Sequence, residues 1–438
     1  MAVDNDARAL AIQANTAAGI SAAGGALKRI SRLRGLSSTG PVRPAAMASP
    51  ISVTTSTSAP SAPYTTQWPS NQTATDNWLP VAQFWGGWLT RATNRVKPRC
   101  ATSDPSTATS ATSATGFDDT ISGMSFMTDE PSLTIMVNTS NTLPFRFKVN
   151  GEYISTGGTV AAATGDSYIT IDLSSYTPPM RIDVEGPNSW AVQRILTNAT
   201  SSVWATNDKD PHIMVLGDSY TVGPLVTQYS VPTPINQDGW VRCMANALGI
   251  NDVWASGIGG TGWKAPNGTK PALVDRAYDS LNLMPGGTTY RSSWRPDMIL
   301  VAMGINDVSA GKTTSEVTDS IDIWYRYVRA RDPLIPILIT GVQWRPIGNL
   351  TNTRAMDAAI AAKIAELAVA DPFISYSPVS TSSYSWCTGT GYEGATNGSG
   401  NSDFDRGIDG VHPSYAGHAK LGERMASEVV KFVTSLAG

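Results

Sequence analysis

The chain has 438 residues, of which 41% are hydrophobic and 15% are charged, and its formal net charge is −3 at pH 7. This composition is typical of a globular protein, and the length predicts two or three structured units. Without an excess of basic residues the chain lacks the electrostatic footprint of a nucleic-acid-binding protein, so we expect no nucleic-acid partner.

The first 75 residues divide into two segments of different composition. Residues 1–36 are rich in Ala, carry apolar residues at loose helical spacing and end in basic residues, which suit a helix C-terminus. They are predicted to form a helical or flexible anchoring segment, with an oligomerising role as an alternative. Residues 37–75 are rich in Ser, Thr, Pro and Ala. We predict a linker or extended arm there, because such a stretch cannot bury enough apolar surface to fold alone.

Residues 76–205 contain short runs in which apolar and polar residues alternate. Examples are Leu133–Val137, Phe145–Val149 and Tyr168–Leu173, and turn signals such as Asn150–Gly151 separate the runs. Period-two alternation with regular turn signals predicts an antiparallel β-sandwich, and an Asn-Gly pair between two runs predicts a hairpin.

From residue 206 to the C-terminus, apolar strands alternate with helical periodicity. The predicted strands are His212–Leu216, Met298–Met303 and Ile335–Ile339, and the predicted helices span 235–248, 315–330, 352–370 and 415–436. This alternation predicts one α/β domain, residues 206–438, with a parallel sheet covered by helices.

Four polar segments of this domain lie where strands end or helices begin. A Gly-Asp-Ser sequence ending at Ser219 follows the first strand, so the serine starts a helix and can offer its N–H to an anion. The glycine-rich turn at 256–262 lets backbone N–H groups approach a ligand closely. Asn306 follows a second strand, and its amide can donate to an oxyanion. Asp409 lies three residues before His412 and can hold its imidazole in one tautomer.

These blocks, in this order, resemble the four sequence blocks of SGNH (GDSL-like) hydrolases. The resemblance covers residues 206–438. It implies a flavodoxin-like three-layer α/β fold and a serine esterase that needs no cofactor. It also implies that Ser219 is the nucleophile, His412 the general base and Asp409 the third member of the triad.

The resemblance also implies an oxyanion hole. Its donors would be the backbone N–H of Ser219, the side-chain amide of Asn306 and the backbone N–H of a glycine. The family's spacing selects Gly259 for the last position, and Gly257 and Gly260 remain alternatives.

Two further matches to the motifs lie in the wrong context. The tetrapeptide at 165–168 repeats the sequence around Ser219 but does not follow a buried strand, so Ser167 is interpreted as a turn residue. The tetrapeptide at 249–252 repeats the asparagine block but follows a helix, so Gly249 is interpreted as a helix C-cap.

Other polar residues of the domain are interpreted as structural. His212 starts a strand, and His418 lies in the first turn of the last helix. Asp218 and Asp307 are interpreted as supporting or turn carboxylates. The cysteines, Cys100, Cys243 and Cys387, show no zinc-ligand or disulfide-framework spacing, and no metal-binding motif occurs, so no metal is expected.

The sequence favours an enzyme that removes O-acetyl groups from a polysaccharide. A β-sandwich ahead of an SGNH domain resembles the arrangement of some carbohydrate esterases, although fold alone does not determine a substrate. Candidates for stacking on sugar rings are Trp190, Trp204, Trp254, Trp263 and Trp344. A lipid esterase or thioesterase is an alternative.

The sequence also bears on whether the protein is exported and what it assembles with. The chain shows no signal peptide and no apolar run long enough to span a membrane, so a soluble protein is expected. The tail and the Ser/Thr/Pro-rich arm resemble those of phage structural proteins that carry an enzyme. We therefore expect residues 1–75 to contact virion proteins and the enzyme to act at the host cell surface. The alternatives are a virion structural or attachment protein with a weak or vestigial hydrolase, and a homo-oligomer.

Overall fold

A computed structural model of the chain contains two antiparallel sheets followed by a parallel sheet covered by helices. The described residues are 28–43, 46–48, 51–60, 64–70, 75–92, 95–100, 121–139, 143–154, 160–186, 190–206, 208–223, 236–283, 294–343, 350–381 and 385–436. Among them no helix is long and apolar enough to cross a membrane.

The antiparallel sheets contain short strands that lie between residues 53 and 205. These strands are β1 (Val53–Ser56), β2 (Thr66–Trp68), β3 (Gln83–Trp85), β4 (Gly87–Ala92), β5 (Arg95–Cys100), β6 (Ser122–Thr128), β7 (Ser132–Thr139), β8 (Leu143–Val149), β9 (Glu152–Tyr153), β10 (Val160–Ala162), β11 (Gly165–Asp172), β12 (Met180–Gly186), β13 (Trp190–Thr197) and β14 (Val203–Ala205). One sheet has the order β1-β11-β7-β13-β5-β4, with β2 paired to β13. The other has the order β10-β8-β12-β6-β14, with β3 paired to β6 and β9 to β8.

The two antiparallel sheets share one apolar core, which confirms the predicted β-sandwich. Alternate residues point into this core, as in β11, where Ile169 and Ile171 are fully buried and their neighbours are not. The predicted hairpin is also present. Asn150 and Gly151 join β8 to β9 with positive φ angles of 51° and 89°, as a tight turn between paired strands requires.

Part of the segment predicted as a linker belongs to the sandwich. Val53–Ser56 pairs with β11, and Thr66–Trp68 pairs with β13. The interpretation of residues 37–75 as a linker or arm is therefore wrong for these two stretches. Their Ser- and Thr-rich sequence forms strands because the neighbouring strands supply most of the apolar core, which composition alone does not reveal.

The parallel sheet has five strands in the order β16-β15-β17-β18-β19. In chain order they are β15 (Ile213–Gly217), β16 (Val253–Gly257), β17 (Met298–Ala302), β18 (Ile337–Thr340) and β19 (Ile374–Ser377). Numbered within the sheet, the order is 2-1-3-4-5, which is the flavodoxin-like order. The sequence predicted three of these strands, whereas β16 and β19 contain Ser, Gly and Tyr among their apolar residues and were not predicted.

Helices cover both faces of the parallel sheet, which confirms the predicted three-layer α/β fold. The α-helices are α1 (28–34), α2 (Ser219–Val222), α3 (Trp240–Leu248), α4 (Ile305–Ser309), α5 (Thr314–Arg329), α6 (Leu350–Ala368), α7 (Ser402–Asp405) and α8 (Tyr415–Ser435). Short 3-10 helices span Thr75–Trp78, Asn236–Asp238 and Leu273–Leu281. One core lies between the sheet and helices α5 and α6, and the other lies between the sheet and helices α1, α3 and α8.

Helix α1 is docked on the parallel-sheet domain. Leu33 is fully buried in the core of that domain. Arg29 forms an ion pair with Asp332 at 2.7 Å, and Arg32 forms one with Asp297, which lies just before β17. Within the predicted N-terminal segment, therefore, residues 28–36 pack against the α/β domain, while residues 1–27 lie outside the described residues.

A buried ion cluster joins the sandwich to the α/β domain. Glu185 on β12 is fully buried and accepts hydrogen bonds from Arg146 Nε at 2.6 Å, from Arg242 Nε of α3 at 2.8 Å and from the Tyr153 hydroxyl at 2.7 Å. The Lys148 amine lies 3.4 Å from the same carboxylate. Burial by itself raises the pKa of Glu185, but the surrounding cations outweigh burial and hold that pKa well below its usual range.

Replacing the shared carboxylate should destabilise the protein strongly. Glu185→Gln removes the carboxylate that Arg242 pairs with and leaves Arg146 with Asp238 alone, and breaking a buried ion pair in this way costs about 3–5 kcal/mol of unfolding free energy. The matched control is Glu366→Gln, which removes the exposed partner of Lys363 and should cost about 1 kcal/mol or less. Urea titrations of both variants measure the difference. Equal, small losses would show that the ion cluster does not hold the two domains together.

Candidate active site

The site lies at the carboxyl ends of β15, β16 and β17. Ser219 is the first residue of α2, directly after β15, and Asn306 lies in α4, directly after β17. In a 2-1-3-4-5 sheet the first and third strands adjoin at the switch point, where ligands bind. Glycine is required at the end of β15, because a Cβ atom at Gly217 would overlap Thr221 Oγ1.

The structure brings Ser219, His412 and Asp409 together in one hydrogen-bonded chain. His412 Nε2 lies 2.8 Å from Ser219 Oγ, and His412 Nδ1 lies 2.7 Å from Asp409 Oδ2. Asp409 Oδ1 also accepts the backbone N–H groups of Val411 and His412, at 2.9 and 3.0 Å. Burial opposes ionisation of Asp409, but these hydrogen bonds outweigh it and lower the pKa of its carboxyl. The imidazole therefore faces a carboxylate on one side and a hydroxyl on the other.

Two residues that the sequence did not suggest hold the histidine loop. The Tyr220 hydroxyl donates to Val411 O at 2.5 Å, and Arg406 Nη1 donates to the same oxygen at 3.3 Å. The Tyr220 ring also lies 5.5 Å from the His412 ring, centroid to centroid. Burial raises the pKa of Tyr220 to about 12, so its hydroxyl remains a donor at neutral pH. Tyr220 therefore links the residue after the serine to the residue before the histidine.

The glycine-rich turn is held by the residues that follow β17. Asn306 Nδ2 donates to Thr261 O at 3.0 Å. Asp307 accepts three consecutive backbone N–H groups, those of Trp263 at 2.8 Å and of Lys264 and Ala265 at 2.9 Å. Asp307 is thus a supporting carboxylate, as the sequence suggested, and it fixes the backbone that directly follows the glycine-rich turn.

The candidate oxyanion glycines occupy different positions around this turn. Gly257 is the last residue of β16. Gly259 and Gly260 form the turn itself, with Gly260 at a φ of 78°, and Asn267 Nδ2 donates to Gly259 O at 3.2 Å. Which glycine supplies the oxyanion donor stays a prediction, with Gly259 selected by the family's spacing.

A buried arginine ties the two strand ends beneath the site. Arg276, from the 3-10 helix Leu273–Leu281, is fully buried. Its Nη1 donates to Ser256 Oγ at 3.0 Å, and its Nη2 donates to Gly217 O at 3.3 Å. The guanidinium thus connects the strand that precedes Ser219 to the strand that precedes the glycine-rich turn. No local sequence pattern distinguishes this arginine from a surface arginine.

The rejected motif copies lie elsewhere in the fold. Ser167 is a buried residue of strand β11 in the sandwich, and its Oγ donates to Ala163 O at 3.2 Å. Its interpretation as a turn residue is wrong in detail, because the strand already begins at Gly165. Gly249 caps α3 in the left-handed conformation with a φ of 71°, as predicted.

The two remaining histidines are structural, as the sequence suggested. His212 Nδ1 pairs with Asp252 at 2.5 Å, just before β15. His418 is buried in α8, and its Nδ1 accepts the Trp240 N–H at 3.2 Å. Burial, together with the charges of Arg43 and His412, lowers the pKa of His418 to about 3, so its ring stays neutral.

Most of the tryptophans suggested for sugar stacking are unavailable. Trp190, Trp254 and Trp263 are buried in the cores, so that suggestion is wrong for them. Trp204 is 37% exposed on β14, and Trp344 lies outside the described residues.

Asp218 places a buried carboxyl directly beside Ser219. Its Oδ1 accepts the Tyr220 N–H at 3.0 Å, which caps α2, and among the described residues its Oδ2 has no hydrogen-bond partner. Burial raises the pKa of Asp218 to about 7, although the bond from Tyr220 and the charge of His412 act in the opposite direction. The charge of Asp307 acts in the same direction as burial.

Comparisons with known proteins agree with this architecture. Residues 215–420 match the model of the GDSL-like lipase/acylhydrolase family, whereas no curated protein matches the chain. A family two carbohydrate esterase from Clostridium thermocellum, in complex with cellohexaose, is 14% identical with a TM-score of 0.57, covering 81% of this chain and 100% of its own. An acetyl xylan esterase from the rumen bacterium Butyrivibrio proteoclasticus is 13% identical with a TM-score of 0.56. The match covers 88% of this chain and 100% of the esterase. A salicylyl-acyltransferase from a tetracycline biosynthetic pathway is 14% identical with a TM-score of 0.56. The match covers 82% of this chain and 95% of the acyltransferase.

The family match and the geometry of the site together identify the family of the α/β domain. The C-terminal half of the chain is an SGNH (GDSL-like) hydrolase domain, which confirms the resemblance seen in the sequence. The protein is a carboxylic ester hydrolase. The similarity to the solved structures also extends over the sandwich, so the two-part architecture is one that other proteins share.

The buried carboxyl of Asp218 should make stability depend on pH. Because its pKa rises from 3.8 to about 7 on folding, the stability that the protonated carboxyl provides is complete below pH 4 and is lost as the pH rises through 7. Asp218→Asn keeps an oxygen for the Tyr220 N–H and removes the charge. Its unfolding free energy should match that of the wild type near pH 4 and exceed it at pH 8, by up to roughly 4 kcal/mol. Urea unfolding at both pH values measures this, and a difference that does not change with pH would contradict a protonated Asp218.

Proposed function

We propose that this protein removes acetyl groups from a polysaccharide through a catalytic triad of Ser219, His412 and Asp409. The observation that carries the proposal is the chain of hydrogen bonds from Ser219 Oγ through both ring nitrogens of His412 to Asp409. A nucleophile within reach of a base that is itself oriented by a carboxylate is the arrangement that activates a serine hydroxyl.

The reaction would proceed in two half-reactions. Ser219 Oγ attacks the ester carbonyl while His412 Nε2 takes the hydroxyl proton, and Asp409 stabilises the imidazolium that forms. Collapse of the tetrahedral intermediate breaks the bond to the sugar oxygen, and His412 returns its proton to that oxygen. Water then attacks the acetyl-serine while His412 accepts its proton. The second tetrahedral intermediate collapses by breaking the bond between Ser219 Oγ and the acetyl carbon, His412 returns the proton to Oγ, and acetate leaves.

The negative charge of the intermediate would be held by three donors. They are the backbone N–H of Ser219 at the start of α2, the backbone N–H of Gly259 and the side-chain amide of Asn306. The Asn306 amide carries two hydrogens, and its bond to Thr261 O uses one of them and fixes the direction of the group. In comparable sites the loss of one such donor costs roughly 2.7–4 kcal/mol of transition-state stabilisation.

The substrate class is supported by the architecture. The carbohydrate esterases that resemble this chain do so over about four-fifths of its length, including the sandwich. One structure with a similar fold is a salicylyl-acyltransferase, so the fold alone does not fix the acyl acceptor. We assign water as the acceptor, because a carbohydrate esterase and an acetyl xylan esterase are among the structures with a similar fold.

We further propose that residues 1–75 connect the enzyme to a virion. Helix α1 contacts Asp297 and Asp332, which precede β17 and β18, so it lies toward the amino ends of the strands. The site lies at the carboxyl ends. A partner bound to the segment before residue 28 would thus hold the enzyme with its site directed away from the attachment point.

The duplicated Gly-Asp-Ser-Tyr sequence provides a matched test of the nucleophile. Ser219→Ala should lower kcat for p-nitrophenyl acetate and for acetate release from acetylated xylan by about 10³-fold or more, because it removes the attacking oxygen. Ser167→Ala, in the other copy of the tetrapeptide, should retain wild-type kcat. Activity that survives in Ser219→Ala would exclude Ser219 as the nucleophile. If the wild-type protein hydrolyses p-nitrophenyl acetate but not acetylated xylan, it is an esterase, and acetylated xylan is not its substrate.

A further inference from the structure

Few large hydrophobic side chains are exposed in the part of the chain that the structure describes. They are Leu79, Trp204, Ile323, Val369, Phe404 and Ile408. Single exposed apolar residues are ordinary, but neighbouring ones beside a functional site indicate a binding surface. Phe404 and Ile408 are four residues apart in the segment that leads into Asp409 and His412.

These two side chains are strongly exposed. Phe404, on α7, is 71% exposed, and Ile408 is 38% exposed and directly precedes Asp409. An aromatic ring that remains in water at this level packs little against the enzyme itself. Its exposed face is therefore available to a ligand.

The backbone that carries Phe404 is fixed relative to His412. Ser414, two residues after the histidine, donates its Oγ to Phe404 O and its N–H to Asp405 O at 3.0 Å. The Gly407 N–H donates to His412 O at 2.9 Å, which closes the loop between them. The exposed apolar surface is thus held in place before any ligand binds, so binding does not require the loop to become ordered.

The surface next to Phe404 and Ile408 is polar and combines neutral groups with the carboxylates of Asp405 and Asp409. The loop before α7 joins it through the bond from Ser402 N–H to Thr388 O at 2.9 Å, and this loop exposes hydroxyl and amide groups. The groups are those of Thr388, Thr390, Asn397, Ser399 and Asn401. The nearby cation Lys420 is already paired with Asp405 at 2.5 Å, so the surface offers little to an anionic ligand.

We propose that Phe404 and Ile408 form a subsite for a neutral sugar ring of the polysaccharide, next to the ring that carries the scissile acetyl group. This inference rests on the proposed function. A pyranose ring has an apolar C–H face and a rim of hydroxyl groups, and the surface here pairs an apolar centre with neutral hydrogen-bonding groups. A lipid chain requires an enclosed apolar groove, whereas these side chains face open solvent.

The subsite is tested by comparing a carbohydrate ester with a small ester. The readout is kcat/KM for acetylated xylo-oligosaccharides divided by kcat/KM for p-nitrophenyl acetate. Phe404→Ala should lower this ratio about three- to tenfold, mainly through KM for the oligosaccharide. Phe404→Trp should keep the ratio close to the wild-type value, because tryptophan also presents a flat aromatic face. The matched control, Ile323→Ala, removes a side chain of similar exposure on α5 and should leave the ratio unchanged.

The outcomes separate the subsite from the proposed function. An unchanged ratio in Phe404→Ala would overturn the subsite while leaving carbohydrate deacetylation intact. An equal loss on both substrates would also overturn it, because that result indicates a structural role. If the wild type turns over p-nitrophenyl acetate but no acetylated oligosaccharide, the polysaccharide substrate is wrong and the subsite is wrong with it.

Discussion

The hydrogen bond between His412 Nε2 and Ser219 Oγ joins residues that are 193 positions apart in the chain. Its geometry depends on a short strand that ends at Gly217 and on a loop that leads into α8. Each of these parts is held by contacts that do not take part in the chemistry. Tyr220 bonds to the carbonyl of Val411, and Arg276 ties the end of β15 to the end of β16. The site is thus positioned by backbone carbonyls and N–H groups, which shift less easily than flexible side chains.

Two buried carboxylates, one near this bond and one at the domain junction, are paired as their positions require. Asp307 satisfies three N–H groups of a turn that has no regular secondary structure to satisfy them. Glu185 sits among buried cations at the junction of the two domains. Buried charges of this kind contribute little net stability compared with an apolar core, but they permit one relative arrangement of their partners. The sandwich is therefore a fixed part of the enzyme.

Much of the fold follows from patterns that the sequence displays directly. Apolar strands before Ser219 and Asn306 predict the central strands of the sheet, and helical periodicity predicts α3, α5, α6 and α8 to within a few residues. The strand β16 was not predicted because its polar and glycine residues mark the start of the functional turn, which interrupts the apolar run. The strands at 53–56 and 66–68 were not predicted because pairing with distant strands outweighs their local composition.

The candidate site divides in the same way. Ser219, Asn306 and His412 stand in short motifs whose order predicts their proximity, and the structure places Ser219 and His412 in contact. Tyr220, Arg276 and the exposed Phe404 have no motif. Their roles depend on which distant groups they meet and on how much solvent reaches them, and only a three-dimensional arrangement specifies either property.

Covalent trapping of the nucleophile tests the central claim most directly. Diethyl p-nitrophenyl phosphate transfers its diethylphosphoryl group to a serine that is activated by a neighbouring base. After reaction and proteolysis, mass spectrometry should find this group on the peptide that contains Ser219, in step with loss of esterase activity. A label on any other residue, or full inactivation without a label on Ser219, would contradict the assignment of the hydrogen-bonded serine as the nucleophile.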